Sequence, residues 1–275
     1  MTPNVIYNES NEETLKRLED NCIDLVLTSP FYNSTDGNRG TLNKANDKGY
    51  PSCRYDDFND NMSFDDYISY TLRLFSEFNR VLKNNGVVLW NLSYGTNNPD
   101  GMFQVINSII DKSRFSIADV IVWKKKSALP NNVSMNRLTR ITEFVFVFAR
   151  KNEINSFYMN KKELSKSKTG QPYFENIFNF IEADNNDGVC PYNKATFSTD
   201  LCNQLLKIYA PEKAVVYDPF MGSGTTAVAC KRNGLIYIGS EISKKQCEFA
   251  ECRIKNGFIQ QTVSESELDK LPLFL

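Results

Sequence analysis

A doubly wound, mostly parallel α/β sheet is what three features of this sequence predict. Short apolar runs of strand length alternate with segments of helical periodicity along most of the chain. Two of the runs, IDLVL at 23–27 and VVLWNL at 87–92, are nearly continuous in apolar residues, as in strands buried on both faces. A third run, ending at Tyr217, passes through a Gly-x-Gly turn into a helix.

The elements follow in order. The run 23–27 is a strand ending in Thr28-Ser29-Pro30. Residues 33–60 are polar, rich in Gly, Asn and Asp, and without periodicity, so they read as a long loop. Over 64–83, Tyr67, Thr71, Leu74, Phe78, Val81 and Leu82 recur at helical spacing, and Asn84-Asn85-Gly86 supplies a stop. After the strand 87–92 come a helix near 101–112 and strands at 117–123 and 143–149. From 151 to 192 Lys, Asn and Ser dominate and periodicity fades, which predicts a small inserted subdomain or a set of ordered loops. A helix at 199–209 precedes the strand 214–217, the glycine turn and its helix, the strand 235–241, and a last helix at 243–255. The tail beyond has no clear pattern.

Composition removes several chemistries. The 275 residues include no histidine, so Ser-His-Asp and Cys-His catalysis and His-ligated metal sites are excluded. Seven cysteines without a C-x-x-C suggest reduced thiols rather than a disulfide framework or a zinc knuckle. No apolar run approaches the roughly 18 residues of a membrane helix. The opening MTPNVIYNES lacks a basic region followed by an apolar stretch, so a cytoplasmic protein is expected. Residues 112–168 hold thirteen Lys/Arg against four Asp/Glu, a balance of +9 in a chain of net charge −1. Such a segment is either a nucleic-acid face or a solvated surface with offsetting neighbours.

Ligands of doubly wound sheets bind at the carboxyl ends of the strands. One such end carries Asp218-Pro219-Phe220-Met221-Gly222-Ser223-Gly224-Thr225-Thr226-Ala227. Glycines allow a tight turn and close backbone approach, and the following helix offers unpaired N–H groups. Glu241 closes the next strand, where a carboxylate can accept hydrogen bonds from two ribose hydroxyls. GSGTTA also satisfies the dinucleotide fingerprint, so a nicotinamide cofactor is an alternative. Asp218 at the mouth of the turn would repel a pyrophosphate but suit a cation, and only one strand follows Glu241. S-adenosylmethionine, with its sulfonium and ammonium and no phosphate, fits better.

A second strand end carries Thr28-Ser29-Pro30-Phe31-Tyr32. Pro30 fixes its own φ and biases Ser29 away from helical geometry. A hydroxyl, a held carbonyl and two rings would suit a flat substrate bearing an amino group. For S-P-x-Y alone, an ordinary strand-to-loop turn with a buried aromatic is the more common explanation.

Taken together, TSPFYN and the distant DPFMGSGTTAVAC resemble the motifs of the DNA amino-methyltransferases. The order, catalytic motif first, is that of their β group. The resemblance extends to DLVLTSP, RVLKNNG with VVLW, IVWKK, EFVFVFARK, KATFSTDL and YIGSEIS, covering most of residues 4–255. It implies a seven-stranded, Rossmann-like methyltransferase sheet with permuted motif order and a small recognition insertion. Residues 1–150 would be the catalytic part, 151–192 the insertion, 193–260 the cofactor-binding part and 261–275 a tail. It implies methyl transfer from S-adenosylmethionine to the exocyclic amine of a base flipped out of double-stranded DNA.

Ser29, Pro30, Phe31 and Tyr32 then match the catalytic tetrad, with Tyr32 expected to stack on the base. The family usually has a second proline where this chain has Phe31, which leaves open which ring stacks. Thr28, Phe197, Asp218, Pro219, Phe220, Gly222, Ser223, Gly224, Thr225 and Glu241 match cofactor positions. Members with Ser at the first tetrad position mostly methylate cytosine at N4, so Ser29 favours N4-methylcytosine over N6-methyladenine. Lys124, Lys125, Lys126, Arg137, Arg140, Lys161, Lys162, Lys166 and Lys168 are the phosphate-contact candidates. Members often dimerise, so a homodimer and a cognate restriction endonuclease join duplex DNA as expected partners.

Overall fold

The computed structural model describes residues 2–33, 62–95, 98–128, 135–188, 190, 193 and 196–256. The loop expected over 33–60 and the tail after 256 lie outside the described residues, apart from Asn33. The described chain forms β1 (Val5–Tyr7), α1 (Asn11–Arg17), β2 (Ile23–Thr28), α2 (Phe64–Val81), β3 (Leu82–Leu92), α3 (Gly101–Lys112), β4 (Phe115–Lys125) and β5 (Thr142–Arg150). It continues with β6 (Glu163–Lys166), β7 (Pro172–Phe174), β8 (Phe180–Ala183), α4 (Thr199–Tyr209), β9 (Val215–Asp218), α5 (Thr225–Arg232), β10 (Ile236–Ser240) and α6 (Lys244–Asn256).

Eight strands form one sheet in the order β1-β10-β9-β2-β3-β5-β4-β8, and β6 and β7 form a separate hairpin. Only β5 is reversed within the large sheet. This gives the doubly wound, mostly parallel sheet that the alternating apolar runs and helices imply. The eighth strand, β8, comes from the 151–192 segment and pairs with β4. That segment is therefore part sheet edge and part hairpin.

Alternate residues of the strands feed two cores. Leu25, Leu27, Val87 and Leu89 pack on the α4 and α5 side with Leu201, Leu205 and Ala227. Ile23, Val26, Val88 and Trp90 pack on the other side with Leu15 of α1, Phe75 and Phe78 of α2 and Ile109 of α3. The period-2 alternation within almost wholly apolar strands follows from burial on both faces.

Asn84-Asn85-Gly86 is not the end of a helix. Helix α2 stops at Val81 and Leu82 is already extended. The Asn-Asn-Gly triplet sits inside β3, where the β2 pairing slips between Ile23–Leu82 and Leu25–Val87. Asn85 takes a positive φ of 64°, and a Cβ on Gly86 would lie 2.9 Å from the Asp24 carbonyl oxygen. The local signals for a helix stop and for a strand bulge are the same residue types, and strand pairing decides between them.

Sequence reading passed over β1 and α1. Three strand residues are too few to show a period. The signal for α1 is present: Ser10 caps the helix by accepting from the Glu13 N–H at 3.2 Å, the first half of an S-x-x-E capping box.

Candidate active site

The carboxyl ends of β2, β9 and β10 lie side by side because β9 pairs with both of its neighbours. A cavity of about 240 Å³ opens there. Its walls bring together Ser29 and Phe31 from the turn after β2 with Phe220, Gly222, Ser223 and Thr225 from the glycine turn. Pro219, Phe197 and Glu241 line it too, and Glu9, Asn11 and Glu12 close the side formed by the start of α1. Two turns about 190 residues apart in sequence therefore share one cavity.

The glycine turn is built for close approach. Gly222 and Gly224 take φ of +53° and +83°, the left-handed region where other residues are strained. A Cβ on Gly224 would also come within 2.7 Å of the Ala250 Cβ in α6. Gly224→Ala should therefore lower stability by about 1–3 kcal/mol, read as a fall in the urea midpoint with the slope unchanged. An unchanged midpoint would show that the α5–α6 packing is looser than these distances require.

Glu241 sits under the turn. Its Oε2 accepts from the Gly222 N–H and its Oε1 from the Ser243 N–H, both at 2.8 Å. Burial pushes its carboxyl above the usual range, and these two hydrogen bonds oppose the shift. Each oxygen keeps further acceptor capacity, so two adjacent hydroxyls are a matching partner.

Asp218 does not face the cavity, which corrects the expectation that its carboxylate meets a cation there. It is fully buried behind the turn. Its Oδ1 accepts from Thr28 Oγ1 at 2.6 Å and from the Phe220 N–H at 2.9 Å, and its Oδ2 accepts from Thr226 Oγ1 at 2.5 Å. Burial raises its carboxyl to about 6, against those three donors. Thr28 is likewise buried with its hydroxyl committed to Asp218, so it ties β2 to β9 rather than lining the cavity. The acidic character assigned to Asp218 is instead supplied by Glu9, Glu12 and Glu241. Among the described lining residues there is no Lys or Arg. A pyrophosphate is disfavoured in such a cavity and a cation is suited to it, which removes the physical basis for a nicotinamide cofactor.

Two further contacts went unforeseen. Arg253 of α6 is buried and donates to the Ser223 carbonyl at 2.8 Å and Ser223 Oγ at 3.0 Å. Its other arm reaches Asp187 Oδ2 at 2.6 Å, tying the segment after β8 to the glycine turn. Neither residue has a local sequence signal, because the pair spans 66 positions.

The two rings after Pro30 part company. Phe31 is buried among Tyr67, Tyr70 and Phe220, with ring centroids 5.2–5.9 Å away, and its carbonyl accepts from Tyr67 Oη at 2.7 Å. Tyr32 is half-buried and borders a smaller cavity with Asn33, Phe64, Leu92 and Asn98. Its hydroxyl lies 3.4 Å from Ser29 Oγ.

The basic candidates divide as well. Lys124, Lys125 and Lys126 pair with Glu182, Glu143 and Asp184 at 2.5, 2.5 and 2.9 Å. This run is a charge-balanced seam, not an open cationic strip. Arg140 lies 4.7 Å over the Tyr94 ring and donates to its carbonyl. Arg137 is exposed, as are Lys161, Lys162, Lys166 and Lys168 on and beside the β6–β7 hairpin. Among the described residues no cluster of metal-ligating side chains occurs, and no helix is long and apolar enough to cross a membrane.

Comparison with known proteins agrees with this geometry. The chain is 27% identical over 227 residues to the orphan methyltransferase M.BamHII of Bacillus amyloliquefaciens, covering 71% of this chain and 84% of that one. It is 24% identical over 259 residues to the type II methyltransferase M2.LlaDCHI of Lactococcus lactis subsp. cremoris, covering 92% and 90%. In fold it is similar to the PvuII DNA methyltransferase (cytosine-N4-specific), with a TM-score of 0.67 at 19% identity over 98% of this chain and 91% of that one. It is similar also to a DNA modification methylase of Thermus thermophilus complexed with S-adenosyl-L-methionine, with a TM-score of 0.57 at 16% identity over 91% and 94%. The model of the DNA methylases of the N6/N4 type matches residues 23–252, from the strand before the TSPFY turn to the helix behind the glycine turn. With both motifs meeting in one cavity inside that match, the chain belongs to the N6/N4 DNA methylase family.

Proposed function

We propose that this chain transfers a methyl group from S-adenosylmethionine to the exocyclic amine of a base flipped out of duplex DNA, cytosine N4 being the favoured target. The observation that carries the reading is the shared cavity, in which Ser29 and Phe31 face the same space as the glycine turn and Glu241. Its acidic lining suits a cation, and Glu241 suits a ribose diol held against the backbone of Gly222. When bound, S-adenosylmethionine supplies a sulfonium-activated methyl group toward which the base amine is the nucleophile.

The chain's own groups do the rest. That amine is a poor nucleophile because its lone pair is delocalised into the ring. Ser29 Oγ and the Pro30 carbonyl would accept its N–H bonds and favour a more pyramidal nitrogen. With Phe31 locked in an aromatic cluster, Tyr32 is the ring left to stack on the base. Positioning and electrostatics would supply most of the rate, with no covalent intermediate on the protein. Phosphate contacts would fall to Arg137, Lys161, Lys162, Lys166 and Lys168, since Lys124–Lys126 already have acidic partners. The duplex is the one partner this chemistry requires; a homodimer or a cognate endonuclease would add specificity or context.

The test is to incubate the protein with S-adenosylmethionine and unmethylated mixed-sequence duplex DNA, digest to nucleosides and analyse by mass spectrometry. N4-methylcytosine is the expected product. N6-methyladenine would keep the mechanism but overturn the base assignment, and neither product with cofactor bound would overturn the duplex substrate. Glu241→Ala should in addition weaken S-adenosylmethionine binding by about 10–100-fold in calorimetry, through loss of charged acceptors. An unchanged affinity would remove Glu241 from the ribose role.

A further inference from the structure

We propose that Glu143, a residue no motif assigns, is the positioning residue that holds the Tyr32 ring for the incoming base. The inference rests on the reading above, in which Tyr32 stacks. The Tyr32 hydroxyl donates toward Glu143 Oε2 at 3.0 Å and Asn91 Oδ1 at 3.1 Å. The sheet brings these groups together. Asn91 of β3 pairs with Val145 of β5, and Glu143 lies two residues before Val145, so both side chains fall on one face. Trp123 of β4 pairs with Glu143, and Lys125, two residues on, returns to that same face.

Charge decides which acceptor dominates. A tyrosine hydroxyl has one proton, and a carboxylate takes it more strongly than an amide oxygen. The amide of Asn91 is fixed as drawn, because its Nδ2 donates to the Phe144 carbonyl at 3.0 Å. Glu143 is itself anchored by Lys125 Nζ at 2.5 Å on Oε1, with both side chains less than a quarter exposed. Lys125 Nζ in turn sits 4.9 Å over the Trp123 ring. The tetrad turn carries Phe31 where the family usually has a second proline, so it has one rigid residue fewer to aim the next ring. A hydrogen bond from the far end of that ring to the rigid β-sheet replaces the lost constraint. Lys125 then serves the site through Glu143 rather than by meeting phosphate.

Single-turnover methyl transfer to unmethylated mixed-sequence duplex DNA, S-adenosylmethionine affinity and melting temperature would be measured for wild type and variants. Glu143→Ala and Tyr32→Phe should each slow transfer about 10–100-fold while the cofactor Kd stays within about twofold. The double variant should be no slower than the slower single one, because both remove one interaction. Glu143→Gln keeps an acceptor for the hydroxyl and should stay within about fivefold of wild type. Should Glu143→Ala lose its fold, Glu143→Gln in the Tyr32→Phe background carries the test, and no further loss is expected there. Wild-type rates in Glu143→Ala, multiplying losses in the double variant, or a Gln variant as slow as Ala would each overturn the proposal. A purely structural Glu143 would move melting temperature and cofactor affinity together, without coupling to Tyr32. Failure of the functional reading looks different: the wild-type chain itself would bind no cofactor or transfer no methyl.

Discussion

Ser29→Ala is expected to slow methyl transfer by about 100-fold or more while S-adenosylmethionine affinity stays within about twofold. The hydroxyl lies 3.4 Å from that of Tyr32, at the junction between the cofactor cavity and the smaller cavity beside it. Ser29 is only half-buried and follows a strand end held by Thr28 and Asp218. Removing one oxygen there leaves the fold intact, so a rate loss reports on the amine and not on stability. Single-turnover assays with calorimetry on the same preparation separate the two. A fully active Ser29→Ala would place the amine's acceptors elsewhere in the turn. A matched loss of affinity and rate would make Ser29 a cofactor residue.

The two turns were legible in the sequence because each is local. IDLVLTSP and VVYDPFMGSGTT carry strand, turn and helix start within a dozen residues, and the doubly wound topology then brings their ends together. What stayed hidden depends on distant partners. The run Lys124-Lys125-Lys126 looks like a phosphate strip until Glu143, Glu182 and Asp184 arrive from 18 to 58 residues on. Asp218 looks like a cofactor ligand until Thr28, 190 residues earlier, donates to it. The segment Glu9–Glu12 has a capping signal but no periodicity, so its place on the cavity wall follows only from β1 docking against β10. Asn84-Asn85-Gly86 shows the same limit within a single element, since breakers of a helix and makers of a bulge are chemically alike.

Asp218 gives the largest expected effect on the fold, and its sign depends on pH. Its carboxyl is fully buried and raised to about 6 from an ordinary 3.8, because burial penalises the charge more than three donors compensate. A carboxyl that is harder to ionise when folded stabilises the protein most below the unfolded value. That stability is lost as pH rises from about 4 to about 6, then levels off, a difference of about 3 kcal/mol at neutral pH. Asp218→Asn removes the charge yet keeps the bonding, since its oxygen accepts from Thr28 and Phe220 and its amide can donate to Thr226. It should melt at or above the wild-type temperature at pH 7.5, with a flatter dependence between pH 7.5 and 5. Asp218→Ala instead strands the Phe220 N–H and two threonine hydroxyls in a dry interior, for a loss of about 2–4 kcal/mol. Because those donors fix the glycine turn against β2, cofactor affinity and methyl transfer should fall with the fold in Asp218→Ala and largely survive in Asp218→Asn. Equal melting of Asp218→Ala and wild type would contradict the clamp. An Asp218→Asn variant that is stable but blind to the cofactor would return the carboxylate to direct recognition of the cation.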